Sequence, residues 1–137
     1  MNEGNAHIMR QNSVLVLFLV INRAFDVGAT ASTSQVSQYL PSGFVRDGSV
    51  SYEVEIQRAI DQAAEKGVSL EFPAMTYAVS EKGWQLHSGS TLDMRGATFK
   101  LGTECIQDGA VFHGRGIMDV TLIGGTVIGR NDVWRDG

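Results

Sequence analysis

Four shortages in the sequence each close off a class of protein. There is one cysteine, Cys105, which excludes an internal disulfide framework and is too few for a thiolate zinc site. Cys105 itself reads as a small hydrophobe near a loop. Basic charge is scarce: 11 Lys and Arg against 15 Asp and Glu give a net charge of −4. No positive field is present to attract nucleic acid or an anionic membrane surface. There are two prolines against 16 glycines, a balance that suits many tight turns between short strands better than disorder. The apolar run at residues 13–21, SVLVLFLVI, is too short to span a bilayer, which takes roughly twenty residues.

What is present fits one domain with a modest core in a chain of 137 residues. The stretch from Tyr52 to Val79 organises it. Ile56, Ala59, Ile60 and Ala63 recur at the spacing of one buried helical stripe, which predicts a helix over 52–66. Glu53 and Glu55 fall in its first turn, where the helix dipole favours negative charge. Ser49 and Ser51 are candidate N-caps and Gly67 a candidate C-cap. After Gly67 the period changes from helical to alternating. Val68, Leu70 and Phe72 alternate with Ser69 and Glu71, and Pro73 ends that strand.

The chain divides into three parts. Residues 1–31 are expected to be a secretory signal peptide. Arg10 precedes the apolar run, and Ala29-Thr30-Ala31 gives a small-x-small cleavage pattern. The competing reading makes the run a buried strand or helix of the domain. Cleavage places the mature chain outside the cytoplasm, secreted or in the cell envelope or periplasm, without a membrane contact after signal removal. Residues 32–48 read as a polar lead-in, with a short strand at Gly43–Arg46. From 49 to 137 the helix is followed by short strands, expected near 68–72, 76–79, 90–94, 97–101, 110–113, 119–123 and 126–128. Asp108-Gly109 is the only hairpin-type pair among them, which argues against a hairpin sandwich. Leu70 and Leu92 lie 22 residues apart, and Leu92 and Leu122 lie 30 apart. Such spacing signals a solenoid of parallel strands stacked turn on turn. Thr91-Leu92 is expected on Thr121-Leu122, and Ala97-Thr98-Phe99 on Gly125-Thr126-Val127, with the helix capping the open end.

The order of helix, Phe72-Pro73-x-x-x-Tyr77, Ser88-x-x-Thr91-Leu92, Gly96-Ala97-Thr98-Phe99 and Val120-Thr-Leu-Ile-Gly-Gly-Thr-Val-Ile-Gly-Arg130 resembles the N-terminal part of pectate lyase superfamily proteins. Gly125-Thr126-Val127-Ile128-Gly129, with Trp134 beyond it, is similar to a segment of the polygalacturonase-like members. Met75 stands where the family's turn usually has glycine, and Ile128 where it usually has Asp. The resemblance implies an all-β fold, a right-handed parallel β-helix with one N-terminal capping α-helix. It implies an exported carbohydrate-active protein acting on an acidic polysaccharide, as lyase or hydrolase. The competing reading is a non-enzymatic β-helix, an envelope adhesin or a phage tailspike or tail-fibre segment.

In that family the catalytic residues come from middle turns of the coil. Lyases use calcium held by carboxylates with an Arg or Lys base, and hydrolases use paired aspartates. This chain supplies the capping helix and the first turns, and reaches Gly137 without a C-terminal cap. It is therefore expected to be truncated before the catalytic turns. No catalytic residue, metal site or cofactor is assigned within it, and calcium is implied only for a full-length protein. Arg115, which can grip a uronate carboxylate in bidentate fashion, and Trp134, which lies among polar residues and can stack on a sugar ring, are the expected substrate-binding residues. Trp84 alternates with Leu86 and reads as core. Asp93 and Asp119 are outward carboxylates in different turns, and an acid/base pair would need them roughly 5–10 Å apart. His113 reads as a turn residue that bonds to backbone, with general acid/base work the sharper alternative, and His87, before Ser88-Gly89, as another turn residue.

Overall fold

A computed structural model describes residues 14–16, 32–102 and 110–129. The described residues form ten short strands and one long helix, α1, Glu53–Lys66. Strand β1 is Val14–Val16, β2 Thr33–Gln35, β3 Ser69–Glu71, β4 Thr76–Val79 and β5 Trp84–Gln85. Then come β6 Thr91–Asp93, β7 Thr98–Leu101, β8 Phe112–His113, β9 Thr121–Ile123 and β10 Thr126–Ile128. A 3-10 turn at Val36–Tyr39 follows β2.

The helix buries the stripe read from the sequence: Ile56, Ala59, Ile60 and Ala63. Its C-terminus is a Schellman motif. Gly67 takes φ 67, and its N–H donates to Ala64 O while the Val68 N–H donates to Ala63 O. The N-terminus differs from expectation. Neither Ser49 nor Ser51 caps it: the N-cap is Tyr52, with no side-chain cap bond. The Ser49 N–H instead donates to Asp47 Oδ1 at 2.9 Å. Tyr52 is buried, and its hydroxyl accepts the Val45 N–H at 2.8 Å. Burial of an aromatic ring fixes where the chain enters the helix, and Glu53 and Glu55 complement the dipole there.

The strands form three sheets, ordered β1-β10-β7-β4, β2-β3-β6-β9 and β5-β8. All pairings are parallel except β1 on β10. Successive strands visit the sheets in turn, so the chain coils, and each coil lies on the one before. Leu70, Leu92 and Leu122 form one inward column. Tyr77, Phe99 and Val127 form a second, and Trp84 and Phe112 a third. The stacking of Thr91-Leu92 on Thr121-Leu122 and of Thr98-Phe99 on Thr126-Val127 is as the spacing predicts. This is a β-solenoid-like arrangement of mostly parallel strands with one helix. Its core is aromatic: the Phe99 ring lies 5.3–6.1 Å, centroid to centroid, from Tyr77, Phe112, Phe72 and Trp84.

Two corners show why the chain can turn between sheets. At Pro73 the Tyr77 hydroxyl donates to the Pro73 carbonyl at 2.7 Å and closes the turn. Met75 is 7% exposed, and Asp119 is the only non-glycine described residue with positive φ. The Met75 position therefore makes no demand for glycine here. Between β9 and β10, Gly124 and Gly125 take φ 72 and 99, and a Cβ at Gly124 would meet the Arg95 backbone nitrogen at 3.2 Å.

The lead-in holds the other departures. Gly43–Arg46 is not a strand; the Phe44 N–H closes a turn onto Pro41 O, and the extended contact is a single bridge from Asp47 to Thr76. The strand lies earlier, at β2, paired in parallel with β3. β5 falls where Trp84 and Leu86 alternate with Gln85, outside the expected strand ranges. Cys105 and Trp134 lie outside the described residues, as does all of 1–31 except β1.

Candidate functional site

A cleft of about 690 Å³ lies between the outer face of α1 and the β5-β8 sheet. Its walls carry Glu53, Val54, Gln57, Arg58 and Asp61 from the helix, and Lys82, Gly83, Gln85, His87 and His113 from two successive coils. Helical spacing puts Gln57 and Asp61 one turn apart beside the buried stripe. Parallel register puts His113 directly against Gln85.

Gln57 organises this cleft. Its Oε1 accepts the Gln85 N–H at 2.9 Å and its Nε2 donates to Gln85 O at 3.0 Å, so one side-chain amide pairs with the edge of β5 as a strand would. The same Nε2 donates to Asp61 Oδ1 at 2.9 Å. Asp61 Oδ1 in turn lies 2.7 Å from His87 Nε2, the two side chains being 50% and 41% exposed. The backbone of β5 thus positions an amide, the amide a carboxylate, and the carboxylate an imidazole. With His87 Nε2 held by Asp61, the other ring nitrogen is the one left for a ligand or a proton. The Trp84 indole N–H also donates to Glu53 O, at 3.1 Å, fixing the first turn of α1 against the coil.

The residues singled out in the sequence are scattered relative to this cleft. His113 is in it, on strand β8 rather than in a turn, and His87 is in it and bonded to Asp61. Arg115 is exposed in the turn between β8 and β9 and does not line the cleft. Asp119 is exposed, with φ 59, in the same connection, so it is not on a strand as expected. The neighbour of Asp93 across the sheet is Glu71. These two carboxylates, one coil apart, are the adjacent pair that reading along the chain misses. Asp93 is committed to Arg95, whose Nε and Nη2 donate to its two oxygens at 2.9 and 2.6 Å. Those hydrogen bonds hold the Asp93 carboxyl below the usual range and raise Arg95. Asp93 is therefore removed as a proton donor. Gln35 Nε2 donates to Glu71 at 3.0 Å on the other side.

The described residues include no group of three or more His, Cys, Asp or Glu able to hold a metal ion. They do not fit calcium, which takes roughly six to eight oxygens. The Asp61–His87 pair was hidden because its members stand 26 residues apart and meet only through the coil. The available signal was the pairing of Gln57 and Asp61 on one polar helix face.

Fold and cleft together define the class: a helix-capped, β-solenoid-like protein with a cleft beside the cap. No known protein-family description matches the sequence, and no curated protein matches it. Among solved structures the chain is similar to a "putative glycosyl hydrolase" from Parabacteroides merdae, with a TM-score of 0.55 and 22% identity. The match covers 69% of this chain and 41% of that one, so the chain spans less than half of the protein it matches. At that identity the likeness establishes the fold alone.

Proposed function

We propose that this chain is the capping segment of a carbohydrate-active, right-handed parallel β-helix of the pectate lyase superfamily, one that engages an acidic polysaccharide. The observation that carries the reading is the in-register stacking of coils under a helical cap, supported by the likeness in fold to a protein described as a "putative glycosyl hydrolase". Parallel crossovers in one sheet are right-handed in nearly every protein, which supports the handedness. Export belongs to the same proposal, residues 1–31 being its signal, and Arg115 and Trp134 remain its proposed substrate contacts. The segment itself is proposed to bind rather than cleave, with Asp93 held in its charged form by Arg95.

One observation favours the non-enzymatic alternative. Outward hydroxyls stack as ladders, Thr76-Thr98-Thr126 on one sheet and Thr33-Ser69-Thr91-Thr121 on another, as in a purely structural coil. Affinity electrophoresis separates the two readings. Migration through gels cast with polygalacturonate is expected to be retarded, and migration through neutral galactan is not. Equal mobility in all gels contradicts the carbohydrate reading and leaves the structural one.

A further inference from the structure

We propose that β1 is a removable plug: Val14–Val16 occupy the outer edge of β10 in the uncleaved chain, and removal of residues 1–31 on export bares that edge. The occupancy is independent of the carbohydrate reading, and only the release rests on the export reading. The first observation is direction. Every other strand pairing is parallel, as stacked coils require, whereas β1 runs antiparallel to β10. Val14 stands opposite Ile128, Leu15 opposite Val127 and Val16 opposite Thr126. A strand laid in that direction does not continue the coil; it closes the sheet ordered β1-β10-β7-β4. The other two sheets end, among the described residues, on β9 and β8, with no such strand added.

The second observation is which backbone groups β1 meets. The Thr126 N–H donates to Ala97 O at 3.0 Å, toward β7. Backbone groups alternate in direction along a strand, so the Val127 N–H and carbonyl face away from β7, to the side where Leu15 stands. A residue pair so placed in an antiparallel ladder exchanges two hydrogen bonds. Left open, the same two groups of Val127 would template the addition of a strand from another chain. The third observation is the composition of the segment. From Ser13 to Ile21 there is no charge and no proline, and Val14, Val16, Val20 and Ile21 are β-branched. That make-up adds readily to sheet edges and makes an unpaired run an association hazard. Docking on the chain's own β10 answers both hazards, since the bare edge and part of the apolar run cover one another.

The test uses nuclear magnetic resonance on the full chain. The Val127 amide is expected to be protected from exchange. Hα–Hα contacts are expected from Val14 to Ile128 and from Val16 to Thr126, the pairs of this ladder that are not hydrogen-bonded and so lie closest. Leu15→Pro removes the N–H opposite Val127. It is expected to speed exchange at Val127 at least about tenfold, while exchange at Leu92, in β6, stays as it was. Absence of the two Hα–Hα contacts in the wild-type chain overturns the plug, whatever the variant does. Equal exchange at Val127 in the wild type and in a Leu15→Pro variant that keeps Leu92 protected overturns it as well. Release is tested separately, by mass spectrometry of the secreted protein, which is expected to begin near Ser32. An intact Met1 or Met9 there overturns the release and leaves the docked strand standing.

Discussion

Gly83 shows how much of this fold rests on single atoms. It takes φ 64 at the entrance to β5, and a Cβ placed there would lie 2.1 Å from the Ala110 carbonyl oxygen of the next coil. The neighbour is backbone and cannot rotate away. Gly83→Ala is expected to cost at least about 2 kcal/mol in urea unfolding, from left-handed strain and the clash together. Gly67, with φ 67 and open space around it, should lose less on the same change. Asp93 gives the residue-scale prediction for pH. Its folded pKa is lowered by Arg95, so its contribution to stability is complete above the ordinary Asp value and is lost as pH falls through the lowered one. The difference in unfolding midpoint between wild type and Arg95→Ala should therefore be full at neutral pH and shrink below about pH 4. A difference that grows on acidification would contradict the assignment.

At the scale of elements, legibility followed from how each element is buried. α1 was readable because one stripe is in and the rest is out; the sequence places it at 52–66, and it runs over 53–66. Strands β6 and β9 were readable because Leu92 and Leu122 sit inward between outward neighbours. β2 was not, because Thr33, Ser34 and Gln35 carry no large apolar side chain and pair through their backbone. β5 has two residues, and the alternation of Trp84 and Leu86 with Gln85 marks it too briefly to set its bounds. The cleft was illegible for a different reason. Asp61 and His87 meet through tertiary structure, and nothing in a helical or alternating period encodes that contact. Gln57 yields the test at this scale. Gln57→Ala removes the side chain that pairs with both backbone groups of Gln85, uncovering the outer edge of β5. Amide exchange at Gln85 is expected to rise at least about tenfold, in line with net hydrogen-bond contributions of about 1 kcal/mol each. Exchange at Leu92 and Phe99, deep in the stacked coils, should stay as it was. Unchanged exchange at Gln85 would mean that the helix does not seal the coil through this residue.

Over the whole molecule, one physical idea ties sequence to architecture. Like residues recur at intervals near one coil length, so that like stacks on like. Leucine columns, an aromatic column and threonine ladders all follow from it. The helix is then needed because the first coil would otherwise present bare edges and an open core. The cleft follows from the same geometry, since a helix laid across the end of a three-sided coil leaves a groove along one side. A carbohydrate role and the pairing of Gln57 with β5 both presuppose that the coils are parallel and in register. Interstrand nuclear Overhauser contacts in the folded chain test that most directly. The account predicts contacts of Thr91 with Thr121 and of Leu92 with both Leu70 and Leu122, in the pattern of parallel strands. Contacts that instead pair residues 91–93 with 98–101 in antiparallel fashion would contradict the solenoid, and with it the cleft between α1 and the β5-β8 sheet.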